Sequence, residues 1–247
     1  KRTINALIKA LGDEDPQVRR YVVEALGQTR AEAAVEEVAK LMSDPDLHVQ
    51  NAVETAIIHF GDQAVETLQG LMDGPAAVRR RAAALLGRLQ SASGLESLVD
   101  SVSGNDAAVL DRARQALRAK SSSLTPAELR GLRKRTEQRL NDSRHNRENG
   151  TAAALLHLLG DLPDETVVTR IMKEIEPGTP PTVRRAALGA MMSALPQAPG
   201  RRREAAIEKL LACLHEEDEE GVIRPTLRAL KSVEVPERLS PRLQELI

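Results

Sequence analysis

One register recurs seven times along this chain, and it decides what the chain can fold into. Its anchors are Val18, Val49, Val78, Val109, Thr151, Val183 and Val222, separated by 31, 29, 31, 42, 32 and 39 residues. After each anchor, offsets +3, +4, +7 and +8 are mostly apolar. Val18 leads to Tyr21, Val22, Ala25 and Leu26, and Val183 leads to Ala186, Ala187, Ala190 and Met191. That spacing is the stripe of a helix with one buried face. A second stripe precedes each anchor, as in Ile4, Leu7, Ile8, Leu11 or in Val35, Val38, Ala39, Met42. Further copies are Leu95, Leu98, Val99, Val102, then Val168, Ile171, Met172, Ile175, then Ile207, Leu210, Leu211, Leu214. The step from first-helix anchor to second-helix anchor is 14 or 15 residues. The unit is therefore a helical hairpin with a short turn. One hairpin cannot cover its own apolar stripe, so neighbours must stack on it.

Composition agrees. Hydrophobic residues make up 41% of the 247 residues, yet Phe60 and Tyr21 are the only aromatics. Small aliphatic side chains suit helices packed closely and repeatedly, and they offer little to stack on a base or a sugar. Turn residues punctuate the pattern. Asp13, Asp44 and Asp73 lie five residues before an anchor, and Asp15, Asp46 and Asp106 three before, where short acceptors cap helix N-termini. Gly27, Gly61, Gly87 and Gly160 stand where second helices should close, as C′ glycines do.

The segments LGDEDPQVRRYVVEALG (11–27), LMDGPAAVRRRAAALLG (71–87) and PTVRRAALGAMM (181–192) carry a family resemblance. They resemble bacterial HEAT-like repeats, including the subtype named after phycobilisome lyases. The resemblance implies an all-α, right-handed superhelical solenoid of about seven hairpins over residues 1–247. First helices would form its convex face and second helices its concave face. It also implies that Arg19, Arg79 and Arg184 tie neighbouring repeats through the turn aspartates. Gln50, Leu110, Ala152 and Ile223 replace that arginine in the other units. The fifth unit (121–162) departs from the pattern. A capping box, Thr125 to Glu128, starts its first helix, and a polar loop is expected from Asn141 to Gly150. Residues 236–247 read as a first helix without its partner, so the chain is expected to be a piece of a longer protein.

The resemblance leaves the role open, because such repeats serve many. A non-catalytic scaffold for protein partners is the reading we adopt, with no cofactor. The HEAT-like alternatives are a lyase or chaperone acting on a protein, and a nucleic-acid binder. The concave face would present Arg20, Arg80, Arg185, Arg224 and Arg228. An apolar strip at offset +5 (Leu156, Leu188, Leu227), with Ile223 nearby, would lie beside them and suit a partner's amphipathic helix. A second candidate surface is the basic stretch Arg130, Arg133, Lys134, Arg135, Arg139, Arg144 and Arg147. Residues 112–147 hold eleven Lys or Arg against three acids, a balance of +8, whereas residues 1–66 balance at −5. An acidic protein suits that stretch better than nucleic acid, because 112–147 contain no aromatic platform.

Other chemistry finds little support. The net charge of −1 shows no general basic excess. Cys213, the single cysteine, has no nearby His and reads as a small buried residue. His215-Glu216 is one pair where a HEAT-like di-iron site needs several. No apolar run approaches a membrane span, and the N-terminus lacks signal-peptide features, so a cytoplasmic location is expected.

Overall fold

The computed structural model describes residues 2–233 except 90, 177 and 217–219. The expected helix at 236–247 and residues 217–219 of the acidic stretch 215–220 lie outside the described residues. Those described form helices and turns, with no strand among them. Two compact units emerge, Lys1–Ser101 and Val102–Ile247. Their boundary falls inside the fourth repeat of the register.

Unit 1 contains α1 (Arg2–Ala10), α2 (Pro16–Gln28), α3 (Val35–Lys40), α4 (Leu47–Phe60), α5 (Val65–Gly70), α6 (Ala76–Arg88) and α7 (Ala92–Ser101). Unit 2 contains α8 (Ala107–Lys120), α9 (Pro126–His145), α10 (Asn149–Asp161), α11 (Val167–Ile171), α12 (Pro181–Ala194), α13 (Gly200–Glu216) and α14 (Glu220–Lys231). Short 3₁₀ turns extend α3, α5 and α11. Odd-numbered helices are the first helices of the hairpins and even-numbered ones carry the anchors. Within the units, α2 packs on α4, α10 on α12 and α12 on α14. This is solenoid stacking of an all-α repeat fold.

The caps form where short acceptors were expected. Asp15 accepts from the Gln17 N–H at 2.8 Å, Asp46 from His48 at 2.7 Å, and Asp106 from Val109 at 3.2 Å. Thr125 and Glu128 close their capping box in both directions, at 2.7 and 3.3 Å. The helix this box starts is longer than expected. It runs 20 residues to His145, through the stretch expected to be a loop. Ser143 stays helical because it is buried and its hydroxyl donates to the Leu140 carbonyl at 2.9 Å. Only Asn146–Glu148 form the turn, with Arg147 in the left-handed region at φ 60°.

The core follows the register, with its face rotated. Offsets +4 and +8 are buried in all seven units, from Val22 and Leu26 to Thr226 and Leu230. At about 100° per residue, offset +5 lies 140° from the anchor and +3 lies 60° on its other side. No +5 residue is exposed, whereas Tyr21 at +3 is 58% exposed. The buried arc therefore extends from +7 through +4 and +8 to +5, because a neighbouring helix covers that flank as well, and it takes in +3 only where that residue is alanine (Ala52, Ala154, Ala186). Each fully buried Leu or Val contributes roughly 1.5–3 kcal/mol to the stack.

Two of the four glycines expected at C′ have a different task. Gly27 and Gly160 are buried inside α2 and α10. A Cβ on Gly27 would lie 2.6 Å from the Cβ of Ala56, and one on Gly160 would lie 2.6 Å from the Ala190 carbonyl oxygen. Both contacts join offset +9 of one second helix to +7 of the next. Glycine there lets the backbones approach closely. Gly87 also lies inside its helix, α6. Gly61, at φ 62°, ends α4 as expected.

Candidate functional site

Of the three arginines that come first in a pair, Arg19 makes the contact to the next repeat's turn aspartate that the resemblance implies, whereas the contacts described for Arg79 and Arg184 go to carbonyls of their own hairpins. Arg19 reaches from α2 to the turn of the next hairpin and grips Asp44 with Nε and an Nη, both at 2.9 Å. Its other Nη donates to the carbonyls of Asp13 and Glu14 at 2.8 and 3.0 Å. The hydrogen bonds from Arg19 hold the Asp44 carboxyl below its ordinary range, against the opposing effect of burial. Arg184 is buried and donates to the Ile175 carbonyl at 3.1 Å, and Arg79 donates to that of Gly74 at 3.2 Å. Gln50, in the arginine's place, turns to the Asp44 carbonyl.

The second arginines face outward at offset +2, 200° from the anchor and opposite the buried arc. Offset +6 lies beside it, so +2 and +6 of successive second helices form the open row. In unit 1 this row is polar and partly self-satisfied. Arg20, Glu24, Asn51 and Thr55 line a shallow depression of about 400 Å³. Arg20 pairs with Glu24 at 3.6 Å and lies over the Tyr21 ring at 4.6 Å. Arg80 is exposed.

In unit 2 the row changes character. Ala153 and His157 on α10, Arg185 and Gly189 on α12, and Pro225 and Arg228 on α14 line a groove of about 430 Å³, joined by Thr182, Ala186 and Met192. Met192 is 40% exposed. Arg185 and Arg228 are exposed and form no ion pair among the described residues. Among the described residues the groove lining contains no Asp or Glu. Gly189 makes room at the floor, since a Cβ there would lie 3.1 Å from His157 Cε1. Burial, and then the Arg114 charge, push the His157 imidazole below its ordinary value, against the pull of Asp161. The imidazole is therefore a neutral wall at neutral pH. Asp161, with its side chain 2% exposed, takes Arg114 at 2.6 Å and Arg118 at 2.9 Å. Burial resists its ionisation, but those two donors outweigh it and lower its pKa.

The apolar strip expected at +5 is not a surface. Leu156 and Leu188 are 0% exposed, while Leu227 and Ile223 are half-buried. The rotated arc accounts for this, because these leucines fill the contact between hairpins. Arg224 is exposed on α14.

The basic stretch also thins out once folded. Arg133 turns to Asp164 at 3.0 Å and to the Thr166 hydroxyl at 2.9 Å. Arg139 donates to the Val102 carbonyl at 2.8 Å, and Arg144 pairs with Glu174 at 3.2 Å. These three tie α9 to its surroundings and leave the candidate surface. Arg130, Lys134, Arg135 and Arg147 remain exposed. Their spacing could not separate the two groups, because which face of α9 meets α10 and α11 depends on packing.

Cys213 is buried near the Ile175 carbonyl. Among the described residues no group of three or more His, Cys, Asp or Glu could hold a metal ion. None of their helices is long and apolar enough to cross a membrane. Sequence reasoning missed His157, Gly189, Met192 and Pro225 as groove residues. For His157 and Gly189 the signal was available at +6, beside the arginines at +2 and +6; Met192 at +9 and Pro225 at +3 fall outside that row.

A family model described as HEAT repeats matches residues 4–84. The HEAT-like register continues through unit 2, where the α10–α12 contact repeats the glycine-on-alanine packing of α2 on α4. The chain is 40% identical over 78 residues to the "Uncharacterized phycocyanin operon protein Y" of Pseudanabaena tenuis (strain PCC 7409). That stretch is 29% of this chain and 18% of the relative, so the match spans under a fifth of the relative's length. Among solved structures, an engineered protein aligns at TM-score 0.44 and 18% identity, over 98% of this chain and 71% of the other. Human deoxyhypusine hydroxylase in complex with glycerol aligns at 0.39 and 17%, over 93% and 83%. The complex of CpcE and CpcF of phycocyanin lyase from Nostoc sp. PCC7120 aligns at 0.35 and 17%, over 93% and 94%.

Proposed function

We propose that this HEAT-repeat chain is a non-catalytic scaffold that binds a protein partner through the second-helix face of unit 2. The observation that carries this reading is the α10–α12–α14 groove, where an exposed Met192 and small side chains lie between Arg185 and Arg228, which form no ion pair among the described residues. Protein-binding surfaces favour this combination of soft apolar contact and arginine. The exposed cations of α9 (Arg130, Lys134, Arg135) and of the turn after it (Arg147) offer a second contact for the same partner. A photo-crosslinking residue placed at Met192 tests the reading in a lysate of the source organism. A discrete adduct is expected at position 192 and absent from the same residue at Gln69, which is exposed on α5 of unit 1. Identical labelling at both positions would sink it.

A second reading has the phycocyanin operon relative behind it. The partner would then be a phycocyanin subunit, handled in the manner of a chaperone. Mixing the chain with isolated phycocyanin subunits and following co-elution tests this directly.

A further inference from the structure

We infer that the unit 2 groove receives an acidic amphipathic segment, with one large apolar side chain seated over Gly189 against Met192 and carboxylates meeting Arg185 and Arg228. This rests on the scaffold reading above and specifies the chemistry of the occupant.

Size, polarity and charge each narrow the choice. About 430 Å³ accommodates one or two inserted side chains, not a whole helix, so the occupant docks by an anchor while its body lies along the row. The walls are Ala153, Ala186, Gly189, Met192 and Pro225, with the neutral ring of His157. They suit an aliphatic or aromatic anchor. Among the described residues the only aromatic ring lining the groove is the half-buried His157 imidazole, with no Phe, Tyr or Trp, so an unpaired base would find a poor stacking platform.

Charge sets the sign of the flanks. Among the described residues, Arg185 and Arg228 stand at the groove without an acidic partner, whereas Asp161 nearby already holds Arg114 and Arg118. A basic segment would face uncompensated repulsion there, and a neutral one would leave two guanidinium groups unanswered. The corresponding row of unit 1 makes the contrast, because Glu24 already answers Arg20.

Three labelled amphipathic helical peptides with the same apolar stripe serve as probes, carrying Glu, Gln or Lys on the flanks. Fluorescence anisotropy on the full chain should show the Glu peptide binding at least about tenfold more tightly than the Gln peptide. The preference should shrink as ionic strength rises from about 50 to 300 mM. R185E/R228E should reverse the order in favour of Lys, and M192E should weaken every peptide. R80E, outside the groove, should change nothing. Thermal melts of the variants verify that each is folded. Equal binding of Glu and Gln peptides, both lost in M192E, would overturn the acidic occupant while leaving the docking face in place. Preference for Lys, binding indifferent to R185E/R228E, or no binding by any peptide would also overturn the inference. The scaffold reading would then stand or fall on the crosslinking result at position 192.

Discussion

Arg19 and Asp44, 25 residues apart, meet through two parallel N–H···O contacts of 2.9 Å and so bolt one hairpin to the turn of the next. Two-pronged arginine–carboxylate geometry is the strong form of such a pair. Asp44 also accepts the Asp46 N–H at 2.9 Å, so one carboxylate holds both the turn and its neighbour. Its folded pKa lies below the ordinary 3.8, chiefly through the Arg19 hydrogen bond. Its contribution to stability is therefore fully present above that value and is lost as pH falls through the folded pKa. Asp44→Asn should melt at a lower temperature than the parent at pH 7, and the gap should narrow in acid. Thermal melts across the acid range check this. A gap that stays constant with pH would count against the pair as its source.

Close helix approach makes Gly160 intolerant. Gly160→Ala should destabilise by about 1–3 kcal/mol, because the new methyl meets the α12 backbone. Gly70→Ala is the matching control, since no atom lies within 4 Å of its added Cβ. It should be neutral or stabilise by up to about 1 kcal/mol. Urea denaturation of the two variants separates packing from backbone entropy.

Leu156 and Leu188 belong to the core rather than to any docking strip. Leu156→Ala should cost about 2–5 kcal/mol in urea unfolding. A cost below about 0.5 kcal/mol, the range of surface changes, would contradict its burial.

His157 should titrate below the ordinary 6.5, because burial and the Arg114 charge disfavour imidazolium more than Asp161 favours it. A depressed folded pKa means that this residue's contribution is present above about pH 6.5 and is lost as pH falls from there through the folded value. Proton NMR of the His157 ring, assigned with His157→Gln, reads the midpoint. A midpoint at or above 6.5 would show that the ring is better solvated than its neighbours allow.

Charge on α9 should divide the same way. Arg133→Ala removes a tie to Asp164 and Thr166 and should lower the melting temperature. Lys134→Ala, exposed one position later, should leave it unchanged. Differential scanning calorimetry of the pair reads the difference.

The seven-fold register by itself determined that this chain forms helical hairpins that stack, where most turns fall, and which aspartates cap them. These are properties of local spacing, because a helix carries its period wherever it packs. The same register placed Arg19 at a repeat junction through its family pattern. Only the tertiary structure decided which 160° or so of each second helix is buried. That arc depends on the neighbour's approach, and it sent Tyr21 outward while drawing Leu156 and Leu188 inward. It also turned Arg133, Arg139 and Arg144 toward the protein and left Arg185 and Arg228 at an open groove. Side chains one helical turn apart look equivalent in a sequence. They part company when a second helix covers one and leaves the other to water.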